Sequence, residues 1–215
     1  HPLCALRYPG NLTALDLTYL SDLSYRFNES AFEADLYTWF QDRFQVRRNP
    51  TTVVQGAAAV SWFELEAPSV RVVAVRGTAI GRDFLADVDL FAEGALLSVA
   101  FTLFPGASII APDVAAAIGK GIALLGGAFR PNQVLDLVQP ILQATADPLP
   151  ANTTLLFVGH SLGGSLAGIA GTLSPHEATQ VFAVEPPGLA ITRGKFDIPL
   201  QTMQNRILLL LSDRD

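Results

Sequence analysis

Ser161 lies in Gly159-His160-Ser161-Leu162-Gly163-Gly164, a Gly-x-Ser-x-Gly pattern. Leu155-Leu156-Phe157-Val158 before it reads as a buried strand, and the small-residue run Ser165-Leu166-Ala167-Gly168-Ile169-Ala170 after it reads as a helix. Such a pattern arises by chance in glycine-rich loops, but strand, sharp turn and helix together make a nucleophile elbow, in which the serine hydroxyl is held out on a strained turn. Gly159 and Gly163 flank the serine where strand and helix must pass closely. The chemistry this suits is attack of an alcohol oxygen on a carbonyl. The elbow brings one oxyanion donor with it, the backbone N–H of Leu162, the residue after the nucleophile.

A serine hydroxyl is a weak nucleophile and needs a base, an acid to orient the base, and a second oxyanion donor. The donor is expected on a loop after a neighbouring strand. Val70-Arg71-Val72-Val73-Ala74-Val75-Arg76 reads as a central strand ending in Gly77-Thr78, and Thr78 offers both an N–H and a hydroxyl. The base is harder to find among three histidines. His160 sits next to the nucleophile, so its side chain should diverge from that of Ser161. His176 falls at the predicted start of a helix, Ser174-Pro175-His176-Glu177, and is expected to be solvated. His1 is terminal.

The 215 residues suit a single α/β domain. Two helices are expected within residues 1–50. Leu12, Leu15, Tyr19, Leu20 and Leu23 recur at helical spacing, as do Phe32, Leu36, Trp39, Phe40 and Phe44, with Ser30 and Glu33 as a capping box. From Val53 the pattern turns to strand. Residues 57–66 alternate loosely, and Pro68-Ser69 marks a turn. A helix over 131–146 and strands over 180–184 and 206–212 follow. Strands alternating with helices predict an α/β sheet with a parallel core. Within 82–130, residues 94–129 carry only Asp113 and Lys120 as charges, and 19 uncharged residues separate Glu93 from Asp113. Pro105-Gly106 breaks that run, which fits buried helices or a lipid-facing lid better than a membrane-spanning helix.

Half of the residues are hydrophobic and the net charge is −6, which leaves no basic footprint for nucleic acid. Three of the six asparagines, Asn11, Asn28 and Asn152, head glycosylation sequons, a usage that favours a secreted or lumenal protein. The lone Cys4 then suggests an intermolecular partner or a free thiol.

Three segments in order, Val73-Ala74-Val75-Arg76-Gly77-Thr78, Asp83-Phe84-Leu85-Ala86-Asp87 and Gly159-His160-Ser161-Leu162-Gly163-Gly164, resemble the class 3 lipases, the fungal-type triacylglycerol lipases. The resemblance covers about residues 53–215. It implies a three-layer α/β-hydrolase sheet and Ser-Asp-His hydrolysis of carboxylesters, without metal or cofactor, on a lipid interface. Ser161 would be the nucleophile, Thr78 and Leu162 the oxyanion hole, and the segment after Thr78 a lid. Asp215, with Asp213 as the fallback, matches the family's catalytic aspartate after the strand 206–211. Glu185-Pro186-Pro187-Gly188 departs from the family's loop at that place and brings Glu185 near the pocket.

The family's histidine follows its aspartate, so the resemblance implies a base beyond residue 215, on a sheet incomplete at its C-terminal end. Three arrangements are open: a second polypeptide, a longer chain, or a catalytically inactive lipase-like protein that binds lipid or a partner. Secreted members of the family often tie the N-terminal helix to the C-terminal region by a disulfide, which would pair Cys4 with that further segment.

Overall fold

The computed structural model describes residues 5–26, 28–55, 58–77, 132–186 and 198–210. Cys4, Thr78, the apolar stretch 82–130, Asp213 and Asp215 lie outside the described residues. Two helices come first, α1 (Ala14–Leu23) and α2 (Glu29–Phe40). Strands β1 (Gln45–Gln55), β2 (Ala58–Ala67) and β3 (Val70–Val75) follow, then α3 (Asn132–Ala144), β4 (Thr154–His160), α4 (Leu162–Leu173), β5 (Thr179–Val184), α5 (Leu200–Arg206) and β6 (Ile207–Leu210).

The six strands form one sheet in sequence order. β1, β2 and β3 pair antiparallel, whereas β3–β4, β4–β5 and β5–β6 are parallel. β3, β4 and β5 are near-continuous apolar runs, and β3 is buried along its whole length, as parallel strands covered on both faces must be. Alternate residues separate two cores. Val73, Val75, Leu155, Phe157, Val181 and Ala183 face α3 and α4. Val70, Val72, Ala74, Leu156, Val158 and Phe182 face α1 and α2. The fold is α/β, in three layers. No helix among the described residues is long and apolar enough to cross a membrane.

Helix starts are fixed by local chemistry. Thr13 and Asp16 form a reciprocal capping box on α1. The Thr13 N–H and hydroxyl both donate to Asp16 Oδ2 at 2.8 Å, and the Trp39 indole N–H donates to Asp16 Oδ1 at 3.1 Å, pinning α2 to the start of α1. Burial alone would raise the Asp16 pKa, but these hydrogen bonds and the Arg43 charge together hold it below the ordinary carboxylate value. A depressed carboxyl stabilises the fold above its unfolded pKa of about 3.9 and loses that contribution as pH falls through the folded value. Asp16→Asn should therefore cost about 1 kcal/mol at pH 7. The difference from wild type should close as denaturation is repeated at progressively lower pH.

Four expectations are corrected. α2 is capped by Asn28, whose side chain accepts from the N–H groups of Ser30 and Ala31, and not by a Ser30–Glu33 box. The first strand begins at Gln45, eight residues before Val53; its polar half with Pro50 is tolerated because β1 is an edge strand with a register shift between Arg48 and Thr51. Ser174-Pro175-His176-Glu177 is a loop, not a helix start. Thr179 pairs with Leu155 and already belongs to β5, so too few residues remain for a helix. Residue 206 closes a helix, α5, and the last strand starts at Ile207.

Candidate active site

β4 delivers Ser161 to the C-terminal edge of the parallel strands, where open α/β sheets bind ligands. Ser161 ends the strand and caps α4 with φ 55° and ψ −129°. That is mirror-β backbone, which glycine enters freely and other residues enter at a cost. Two main-chain bonds hold it: the Ser161 N–H donates to Val184 O at 2.9 Å, and the Ser165 N–H donates to Ser161 O at 3.1 Å.

The flanking glycines are required by packing. A Cβ on Gly159 would stand 2.3 Å from the Gly163 carbonyl oxygen, and one on Gly163 would stand 2.3 Å from the Val75 oxygen and 2.6 Å from the Gly77 nitrogen. All of these neighbours are backbone. The N-terminus of α4 is thus pressed onto the end of β3, beside Gly77. Leu162, the first residue of α4, is buried with its N–H at the helix start, one of the four positions that have no acceptor within a helix.

Gly77 is brought against the elbow from the other side as well. A Cβ there would meet Tyr25 Oη at 2.2 Å and the His160 carbonyl oxygen at 2.6 Å. Gly77 directly precedes the expected second donor, Thr78, which is outside the described residues.

Tyr25, which the sequence reading did not single out, enters the site from the turn after α1, and its hydroxyl lies 3.1 Å from His160 Nδ1. His160 Nε2 lies 3.8 Å from Glu185 Oε2, so Glu185 does reach the elbow. Glu185 has φ 47° and leaves β5 just after the residue whose carbonyl accepts from Ser161. His160 Nδ1 is thereby engaged by Tyr25, and Nε2 faces Glu185 at a distance longer than a hydrogen bond.

His176 is partly exposed, with its Nε2 2.9 Å from the Thr145 carbonyl oxygen. It precedes β5 while Ser161 follows β4, so the length of a six-residue strand, about 20 Å, separates the two levels of the sheet. His176 cannot serve Ser161. Asn11, Asn28 and Asn152 are all exposed. No cluster of His, Cys, Asp and Glu suited to a metal ion occurs among the described residues. Comparison with protein-family models and with curated proteins gives no match for this chain.

Proposed function

We propose that this chain is a serine carboxylester hydrolase of the lipase type, acting on acylglycerols or related lipids, as its resemblance to class 3 lipases implies. The observation that carries the reading is the backbone of Ser161, held at φ 55° and ψ −129° between a strand and a helix by glycine contacts that admit no side chain. A strained non-glycine residue at the exposed end of a buried strand is the geometry a nucleophile elbow requires.

In this reading Ser161 Oγ attacks the ester carbonyl carbon while a base takes its proton. The oxyanion accepts hydrogen bonds from the Leu162 N–H and from Thr78. Collapse breaks the bond to the alcohol oxygen, which leaves with the proton, and water then releases the fatty acid and restores the serine. Asp215, or Asp213, orients the base. With His160 bonded to Tyr25 and His176 at the other end of the sheet, the proposal assigns the base to a histidine from a segment or second chain outside residues 1–215.

β6 offers the place for such a segment. It is the apolar run Ile207-Leu208-Leu209-Leu210 with Leu208 43% and Leu209 47% exposed, although parallel strands of that composition are ordinarily covered on both faces. The exposed sequon asparagines support export, and the apolar stretch 94–129 would cover the acyl site.

A fluorophosphonate probe tests the activity. The native preparation should gain one covalent adduct, mapped to Ser161, and Ser161→Ala should gain none. A folded wild-type protein that stays unlabelled would sink the enzyme reading and favour a lipid-binding protein on the same fold, the alternative that the position of the two described histidines supports.

A further inference from the structure

Resting on the reading of Ser161 as nucleophile, we infer that Tyr25 is a positioning residue for the oxyanion hole. Its hydroxyl, bonded to His160, holds the Gly77 turn against the elbow. Three observations meet at one oxygen. Tyr25 Oη is 3.1 Å from His160 Nδ1 and 3.5 Å from the His160 carbonyl oxygen, and it fills the space in which a side chain on residue 77 would stand. The other side of the same turn is closed by Gly163, whose missing Cβ would fall 2.6 Å from Gly77 N. The end of β3 is therefore gripped between the phenol and the first turn of α4.

That grip matters because the two oxyanion donors come from different elements. The Leu162 N–H is fixed by α4. In the proposed reading the second donor, Thr78, follows Gly77 directly in sequence. A donor helps only when it lies 2.7–3.1 Å from the position the oxyanion will occupy, so a turn free to drift would lose most of its effect. The phenol and Nδ1 share one hydrogen bond in either tautomer, and Nε2 faces Glu185 Oε2 at 3.8 Å. His160, set aside as a base, thus acquires a role as the anchor of Tyr25.

Tyr25→Phe removes the hydroxyl and little else. The rate of fluorophosphonate labelling at Ser161 should fall about 10-fold, less than the roughly 10²–10³-fold cost of deleting an oxyanion donor, because the donor is displaced rather than lost. For an ester substrate the loss should fall on kcat and leave KM in place. His160→Asn keeps a hydrogen-bonding group where Nδ1 stood and should label several-fold faster than His160→Leu, which keeps none. Equal rates in Tyr25→Phe and wild type, or equal losses in the two His160 variants, would overturn the inference.

A second readout does not depend on catalysis. The amide ¹H–¹⁵N resonances of Gly77 and Leu162 should move in Tyr25→Phe and stay in place in Tyr37→Phe, whose ring is 60% exposed on α2. Unmoved amides in Tyr25→Phe would overturn the positioning role even if Ser161 labels. Moved amides in a protein that never labels would retain the clamp and reject the enzyme.

Discussion

Gly163→Ala is expected to destabilise the protein by about 3 kcal/mol or more, the upper range for forcing extra atoms into a packed interior. For a chain of this size that is a fall of about 6–12 °C in melting temperature. The methyl group would stand 2.3 Å from Val75 O and 2.6 Å from both Arg76 C and Gly77 N. None of these atoms can swing aside, because β3 is hydrogen-bonded to β2 on one side and to β4 on the other. The strain must go into moving α4 off the sheet, which also carries the Leu162 N–H away from Gly77.

Gly171 is the control. A Cβ there would approach Val181 Cγ2 at 2.2 Å, an equally short distance to a removable side chain. Val181→Ala should recover part of the loss in Gly171→Ala, and no single side-chain truncation should recover Gly163→Ala. A Gly163→Ala protein that melts with wild type would show that α4 does not pack against β3 as described.

How much of this was readable beforehand depends on whether the deciding interaction is local. The strand, the turn at Ser161 and the helix after it were legible because they lie within 16 consecutive residues, 155–170. β3, β4 and β5 announced themselves as unalternated apolar runs, and α1 and α2 through their helical spacing. What failed was decided by pairing at a distance. The polar stretch from Gln45 to Thr52 has little strand propensity of its own and is a strand because β2 supplies its hydrogen bonds. Ser174-Pro175-His176-Glu177 carries the local signature of a helix start, but Leu155 claims Thr179 for the sheet and overrides it.

α5 is only seven residues long and none of its residues is fully buried. Arg206 Nη1 donates to the carbonyls of Gly171, in the last turn of α4, and of Ser174, just past it, at 2.9 and 3.0 Å. Tyr25 had no local signal at all, since its partner His160 is 135 residues away. The candidate site divides the same way. The candidate nucleophile Ser161 and the Leu162 N–H come from one contiguous motif, whereas Tyr25, which lies against Gly77, comes from the far end of the chain.

Ser161 should show the opposite sign in stability and in activity. Ser161→Ala removes the nucleophile, and ester hydrolysis should fall about 10⁴-fold or more. Its Cβ remains, so the backbone strain remains, and the melting temperature should stay near that of wild type. Ser161→Gly is equally inactive but removes the Cβ from a residue at φ 55°, ψ −129°. Relief of about 1–3 kcal/mol of strain is offset by about 0.5–1 kcal/mol for the added freedom of glycine in the unfolded chain. The net gain of about 1 kcal/mol should appear as a rise of about 2–4 °C. Gln41, at the end of α2, adopts nearly the same backbone, φ 52° and ψ −133°, with no part in the site. Gln41→Gly should therefore gain similar stability and keep full activity. If Gln41→Gly stabilises the protein and Ser161→Gly does not, the strained turn at the serine is relaxed in solution, and the geometric support for an elbow goes with it. If both stabilise, the protein gives up stability at Ser161 to hold a hydroxyl at the edge of the sheet. Gln41 carries the same cost with no part in the site, so strain alone does not make Ser161 a nucleophile; the loss of hydrolysis in Ser161→Ala does.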